Sequence, residues 1–323
     1  MTSKNIDNDY LIRSSIADST NLKYETALQQ FKHYLKHQHY KLHKLTAIQL
    51  DKILKQYIHY LHSIDGSYST ASCTLSALSR STGFNSQLHL SKLALKGWRR
   101  RNDEIRKYRP PLTLEVTTLI SITLLKSGHY LAAVGTLLAF HTYLRINELC
   151  KLKWCDIVFT GDPRLGSAHQ IGVLGALRLQ TTKTGRNQTV TILDNNVCSL
   201  LKQLFVDYQV SSNSTSLMFN MSSSKYRRLF KCACSVLGFS SIGYTPHSLR
   251  HGGVTHDSMR GAPVKDLMLR GRWRSESALT IYVQTASVLL LDTKLTNEQF
   301  ESARIMHTNI IQIMSMYKQI NYE

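Results

Sequence analysis

Four short stretches of this chain carry residue types suited to chemistry on an anion. In Thr142-Tyr143-Leu144-Arg145-Ile146-Asn147-Glu148-Leu149, Arg145 interrupts an apolar run. A guanidinium buried there needs a partner, and Glu148, three positions on, offers an ordinary ion pair. In Thr181-Thr182-Lys183-Thr184-Gly185-Arg186, Lys183 stands beside a turn, where a lysine is ordinarily a solvated edge residue. In Thr245-Pro246-His247-Ser248-Leu249-Arg250-His251-Gly252-Gly253, Thr245 suits a helix cap and Pro246 the first helical position. His247 and Arg250 then share one face at the positive end of a helix. Free backbone N–H groups, an imidazole and a guanidinium at one helix start make a phosphate-binding arrangement. The fourth stretch, Leu269-Arg270-Gly271-Arg272-Trp273-Arg274-Ser275, precedes Thr280-Ile281-Tyr282. Ser275 can cap a short helix that delivers Tyr282 a turn or two later, although a Trp or Tyr taken singly is more often core.

The elements that must position these residues are mostly helical. A helix is expected from Ser19-Thr20, with Leu22, Leu28, Phe31, Tyr34 and Leu35 at helical spacing, behind a loose arm over residues 1–20. A second, from Thr46 to Ser63, carries Leu50, Ile53, Leu54, Tyr57, Ile58 and Leu61 on one stripe and ends at Asp65-Gly66. A third begins near Ser69-Thr70, and a short fourth spans Leu90 to Trp98. The basic run Arg99-Arg100-Arg101 … Arg106-Lys107-Tyr108-Arg109, closed by Pro110-Pro111, reads as an interdomain linker that lies along a phosphate backbone. Beyond it, the apolar stretch Leu112 to Leu144 is broken by Glu115, Lys126, His129 and His141, which fits two core helices better than a membrane span. Leu177 and Leu179, then Val190 and Ile192, alternate with polar residues around Thr184-Gly185 and read as a β-hairpin. After Tyr282 a helical pattern carries Phe300, Ile305, Ile310, Ile311, Ile313 and Met314. It can pack on its own domain or cover a neighbouring subunit.

Composition narrows the partner. The 323 residues carry a net charge of +19, with 42% hydrophobic residues, an ordinary share for a folded chain. Residues 1–109 hold 18 basic and 8 acidic side chains, residues 110–282 hold 19 and 9, and residues 283–323 hold 3 and 4. Two separately basic blocks suit a polyanion gripped from two sides, and nucleic acid is the obvious one. The six cysteines show no metal-ligand spacing and read as reduced thiols, and no carboxylate cluster or Walker loop accompanies the four stretches, so no cofactor is expected. The start, MTSKNIDNDYLIR, lacks the apolar core of a signal peptide. An intracellular, soluble protein is expected, nuclear in a eukaryotic host and cytoplasmic otherwise, with no membrane partner.

Together, and in this order, the four stretches resemble the tyrosine recombinase (phage-integrase) family. Its site reads Arg … Lys … His-x-x-Arg … His/Trp … Tyr, the tyrosine nine residues after the His/Trp, as Tyr282 is after Trp273. Ser19-Thr20-Asn21-Leu22-Lys23-Tyr24 … Leu28 … Phe31 resembles the start of the family's helical core-binding domain, and Pro111-Leu112-Thr113 the start of its catalytic domain. The His247 and Arg272-Trp273 phrases most resemble recombinases of eukaryotic DIRS-like mobile elements. Two departures stand out: Tyr143 replaces a common glycine, and Trp273 the commoner His.

The resemblance implies a mainly α fold with a small β-sheet. A SAM-like core-binding domain would span 1–105, a basic linker 106–111, a catalytic domain 112–290 and a C-terminal helix for subunit contacts 291–323. It implies that Arg145, Lys183, His247, Arg250, Trp273 and Tyr282 form the site of site-specific DNA recombination through a 3′-phosphotyrosyl intermediate. It also implies integration or excision of a mobile element by a homo-tetramer on double-stranded DNA. Those residue types suit the reaction. Two guanidiniums bind the non-bridging oxygens in forked geometry and the indole adds a donor. His247 can take the phenol's proton or hold it in a hydrogen bond, and Lys183 protonates the leaving 5′-oxygen. Fixed cations do the work that Mg²⁺ does elsewhere. The alternatives are DNA relaxation of the type IB topoisomerase kind and a non-catalytic DNA-binding protein.

Overall fold

A Thr46–Gln49 capping box opens the most regular helix of the N-terminal half: the Thr46 N–H donates to Gln49 Oε1 at 3.0 Å and the Gln49 N–H to Thr46 Oγ1 at 3.4 Å. The computed structural model describes residues 14–101, 110–160, 162, 174–182, 185–292 and 295–320, and divides into two units, Met1–Lys107 and Tyr108–Glu323. That division falls inside the expected linker, of which residues 106–109 lie outside the described residues.

The first unit is four helices: α1 (Asp18–His37), α2 (Ala47–Ser63), α3 (Tyr68–Thr82) and α4 (His89–Arg101). Of the arm expected over residues 1–20, residues 1–13 lie outside the described residues and α1 takes in the last three. Helix α4 runs on through Arg99, Arg100 and Arg101, the start of the basic run that its composition marks as linker. Arginine is a good helix former, and cations in a last turn complement the helix dipole. Helix α1 packs on α3 and α2 on α4, around Phe31, Leu54, Tyr57, Ile58, Leu78 and Trp98. Buried Asp51 fixes the entry of α4: its carboxylate accepts from the Leu90 N–H at 2.8 Å, the Ser91 N–H at 2.9 Å and Ser91 Oγ at 2.6 Å. Removing it strands two backbone donors, at a cost on the order of 2 kcal/mol. Asp51→Ala is therefore expected to speed amide hydrogen exchange at Leu90 and Ser91 about 30-fold in the full chain. Unchanged protection there would show that the carboxylate does not hold the helix.

The second unit is built on a helical hairpin, α5 (Leu114–Lys126) and α6 (Tyr130–His141), the two core helices expected of the long apolar stretch. Thr113 caps α5, accepting from the Val116 N–H at 3.2 Å. A one-turn helix, α7 (Ile146–Leu149), leads to a three-stranded antiparallel sheet in the order β1 (Ile157–Phe159), β2 (Gly175–Thr182), β3 (Gly185–Ile192). The expected hairpin is β2–β3, with Leu177 opposite Val190. Strand β1 is an addition, its three residues too few to show a period. Strand β2 lies against α7, and β3 against α11 (Val264–Gly271).

The remaining helices are α8 (Asn195–Asp207), α9 (Ser223–Val236), α10 (Pro246–Met259), α12 (Glu276–Thr280), α13 (Thr285–Asp292), α14 (Asn297–Thr308) and α15 (Ile310–Ile320). Helix α14 packs on α5, and α15 on α5 and α8, so Ala303, Ile310 and Met314 are buried in the core of their own unit. Among the described residues no helix is long and apolar enough to cross a membrane. All six cysteines are free.

Candidate active site

Two tight loops and one helix carry the site. The first loop joins α6 to α7. Tyr143 takes a left-handed conformation there, φ 51°, which glycine adopts freely and an L side chain only under strain. Here the strain is offset by anchoring. The fully buried Tyr143 ring lies under the Arg270 guanidinium at 4.8 Å and its hydroxyl donates to Asp257, which Arg270 also grips at 2.6 Å. Burial pushes the Tyr143 phenol far above its usual pKa, so it stays a donor. Arg145, two residues on, caps α7 and donates through Nη1 to Glu148 Oε1 at 2.8 Å, while its own N–H reaches Glu148 Oε2 at 2.9 Å.

Helix α10 supplies His247, Arg250 and His251. Pro246 opens it, as the sequence suggests, but the cap runs the other way: Ser248 Oγ accepts from the Thr245 N–H at 3.1 Å. Gly253 lets α10 press on α6, because a Cβ there would sit 2.0 Å from the Phe140 carbonyl oxygen. Arg250 is wholly buried. Its Nη1 donates to the Tyr143 carbonyl and its Nη2 to the Gly271 carbonyl, both at 2.5 Å, tying the two loops together. Its Nε has no partner among the described residues. Burial, and then the cations of Arg145 and Arg272, lower its pKa to about 9, with Tyr282 and Glu148 acting against them. Arg250 is still charged at neutral pH.

The second loop, between α11 and α12, holds Gly271, Arg272 and Trp273. The Trp273 indole lies so close over Gly271 that a Cβ there would come within 1.6 Å of the ring. Its face meets Arg250, 4.4 Å from Cζ, and its Nε1 is buried without a partner among the described residues. Ser275 caps α12 by accepting from the Ala278 N–H at 3.3 Å, and Tyr282 follows the helix directly. Thr255, one turn beyond His251 on α10, pins that segment: its Oγ1 shares its proton between the His251 carbonyl at 2.7 Å and the Tyr282 carbonyl at 3.2 Å and accepts from the Gln284 N–H at 3.1 Å. The Tyr282 ring stacks on His251 at 4.5 Å and meets Trp273 at 4.8 Å and His247 at 5.6 Å, with the Arg250 guanidinium over it at 5.3 Å.

Five of the six side chains singled out in the sequence therefore meet in one cluster. The sixth, Lys183, lies outside the described residues, between the Thr182 and Gly185 that close the β2–β3 hairpin. The structure adds His251 and Arg272, and gives Glu148 a second role. Arg272 Nη2 donates to Glu148 Oε2 at 2.6 Å, so one carboxylate holds two guanidiniums that stand 127 residues apart in the chain. The Arg145–Glu148 pair was legible from its spacing. Its bridge to Arg272 was not, because nothing in local sequence brings α7 to the α11–α12 loop. Three guanidiniums around one carboxylate leave a surplus of two positive charges, suited to an anion with ionised oxygens. Among the described residues no group of His, Cys, Asp or Glu is arranged to hold a metal ion.

A helical unit with a small antiparallel sheet, the arginines and histidines of three segments gathered around a tyrosine, is the architecture of the tyrosine recombinases, enzymes that break and rejoin DNA strands. The chain belongs to the phage integrase family, whose pattern matches residues 114–287. No match was found among curated protein sequences. Among solved structures, the Tn1549 transposon integrase in complex with circular intermediate DNA is similar at 14% identity and a TM-score of 0.60, over 86% of this chain and 95% of that one. A lambda integrase (75-356) dimer bound to a COC' core site is similar at 18% identity and a TM-score of 0.55, over 85% and 92%. A lambda integrase tetramer bound to a Holliday junction is similar at 19% identity and a TM-score of 0.53, over 84% and 73%. At these identities the likeness to all three is one of fold.

Proposed function

We propose that this recombinase cuts one strand of double-stranded DNA with Tyr282 and holds the end as a 3′-phosphotyrosyl ester. Tyr282 Oη forms a bond to phosphorus, the bond from phosphorus to the 5′-oxygen breaks, and the 5′-hydroxyl leaves carrying a proton. Arg145 and Arg250 hold the non-bridging oxygens, and Trp273 Nε1 adds a donor to them. His247 takes the phenol's proton and Lys183 supplies that of the leaving oxygen. Attack by another 5′-hydroxyl reverses the step, and no ATP is needed because the ester keeps the energy of the broken bond. The observation that carries this reading is the placement of the Tyr282 ring beside Arg250, Trp273 and two imidazoles in its own subunit.

Both units are strongly basic, and the DNA-bound neighbours include a dimer and a tetramer. The same chemistry then serves strand exchange between two sites, integrating or excising a mobile element, in a tetramer whose subunit contacts include the C-terminal helices. The nucleus is its place of action in a eukaryotic host. The test is to incubate the chain with nicked duplex bearing candidate element ends, isolate the covalent adduct and map it by peptide mass spectrometry. A 3′-phosphate ester on Tyr282 is expected. An ester on another residue would overturn the assignment. Relaxation of supercoiled circles by a monomer that never joins two sites would move the chain to topoisomerase chemistry.

A further inference from the structure

Arg272 combines three features that each cost stability. It sits in the left-handed region at φ 58°, which L side chains adopt only under strain. Its side chain is 4% exposed, so a cation has been taken out of water. Its Nε and Nη1 are buried with no partner among the described residues. The Glu148 carboxylate satisfies Nη2 alone, and it is shared with Arg145. A side chain needed only to close the loop would be better replaced by glycine, which takes that backbone conformation freely. The neighbouring unpartnered donors, Arg250 Nε and Trp273 Nε1, belong to the adjoining side chains of the same cluster.

We propose that Arg272 is a further catalytic residue: anchored through Nη2 on Glu148, it presents one of its two unpartnered nitrogens, Nε or Nη1, to a non-bridging oxygen of the scissile phosphate as a third guanidinium. The inference rests on the phosphotyrosyl reading above. Its charge logic is specific. Among the groups that hold the non-bridging oxygens, Arg145 and Arg250 set against Glu148 leave one positive charge, enough for a phosphodiester, while the proton of Lys183 passes to the leaving oxygen. The five-coordinate transition state carries a second negative charge on its oxygens, and Arg272 supplies the matching cation. Its contribution therefore falls on the rate of cleavage rather than on the affinity for DNA.

Arg272→Gly relieves the backbone strain and removes a buried cation, which offsets the loss of one of the two cations that Glu148 holds, since Arg145 still pairs with it. Adduct formation at Tyr282 on a nicked phosphodiester duplex is expected to slow about 100-fold or more, the scale for losing one oxyanion donor, with duplex affinity changed less than about threefold. A substrate with methylphosphonate at the scissile position has one negative charge fewer, and there the gap between parent and variant should shrink to less than about tenfold. Equal rates on the phosphodiester would overturn the proposal. So would an undiminished gap on methylphosphonate, which would reduce Arg272 to a positioning residue for Arg145. Failure of the parent chain to form any tyrosyl adduct would overturn this inference together with the reading it rests on, whereas an active parent matched by its variant overturns this inference alone.

Discussion

Tyr282→Phe is expected to abolish the covalent DNA adduct, with cleavage falling at least about 10³-fold to the detection limit, and to leave duplex binding and folding nearly unchanged. The contacts that hold the residue are made by its ring and its backbone. The ring stacks on His251 and packs on Trp273, and the carbonyl accepts from Thr255 Oγ1. Phenylalanine keeps all three. The hydroxyl makes no hydrogen bond among the described residues, so deleting it leaves no buried group unpaired, and the expected stability change is within about 0.5 kcal/mol. Only the nucleophile is lost. An electrophoretic assay for protein-linked DNA, run beside a mobility shift on the same duplex, reads the two quantities separately. An adduct that survives in the variant would mean that another hydroxyl attacks, and the placement of the Tyr282 ring would then have no catalytic meaning.

How much of this site can be read from sequence depends on distance along the chain. The α2 stripe of Leu50, Leu54, Tyr57, Ile58 and Leu61 faces inward as its periodicity requires. So does the hairpin register, because alternation leaves Leu177, Leu179, Val190 and Ile192 one buried face to share. The cap at Ser275 and the proline at the start of α10 are local signals, and local physics determines them. What could not be read is what unites these segments. Tyr143 illustrates the limit: its departure from glycine was visible, but the reason that it is tolerated is a hydroxyl bound to Asp257, 114 residues away, and an Arg270 clamped over the ring. Arg272 is another case. Its phrase resembles a subfamily pattern, yet its left-handed backbone and its bond to Glu148 follow from how the α11–α12 loop meets α7. The same holds for the C-terminal stripe, whose apolar spacing predicts a covered helix but not that Ile310 and Met314 are buried in the core of their own unit.

Arg250→Lys is expected to reduce cleavage about 10²- to 10³-fold while weakening duplex binding by less than about threefold. Lysine keeps the charge, so a contribution made by charge alone would survive. It cannot keep the geometry. Arg250 spends one N–H of each terminal nitrogen on the Tyr143 and Gly271 carbonyls, which leaves three of its five donors, Nε–H among them, for a phosphate. An ammonium has three donors on one atom and cannot bridge two loops while also forking onto two oxygens. The loss of a bridged carbonyl leaves a buried acceptor unpaired, at a cost of about 1–3 kcal/mol. One effect acts the other way: the lysine ammonium is not held flat on Trp273 and can withdraw from the cationic crowd of Arg145 and Arg272. The net destabilisation is therefore modest, while the ground for catalysis is lost, since the forked donors are matched to oxygens whose charge grows only as the phosphorane forms. Single-turnover cleavage and equilibrium binding on one duplex separate these outcomes. Equal losses in both would place Arg250 in DNA affinity rather than in the transition state, and would leave Tyr282 without the cation that the site is built to hold over it.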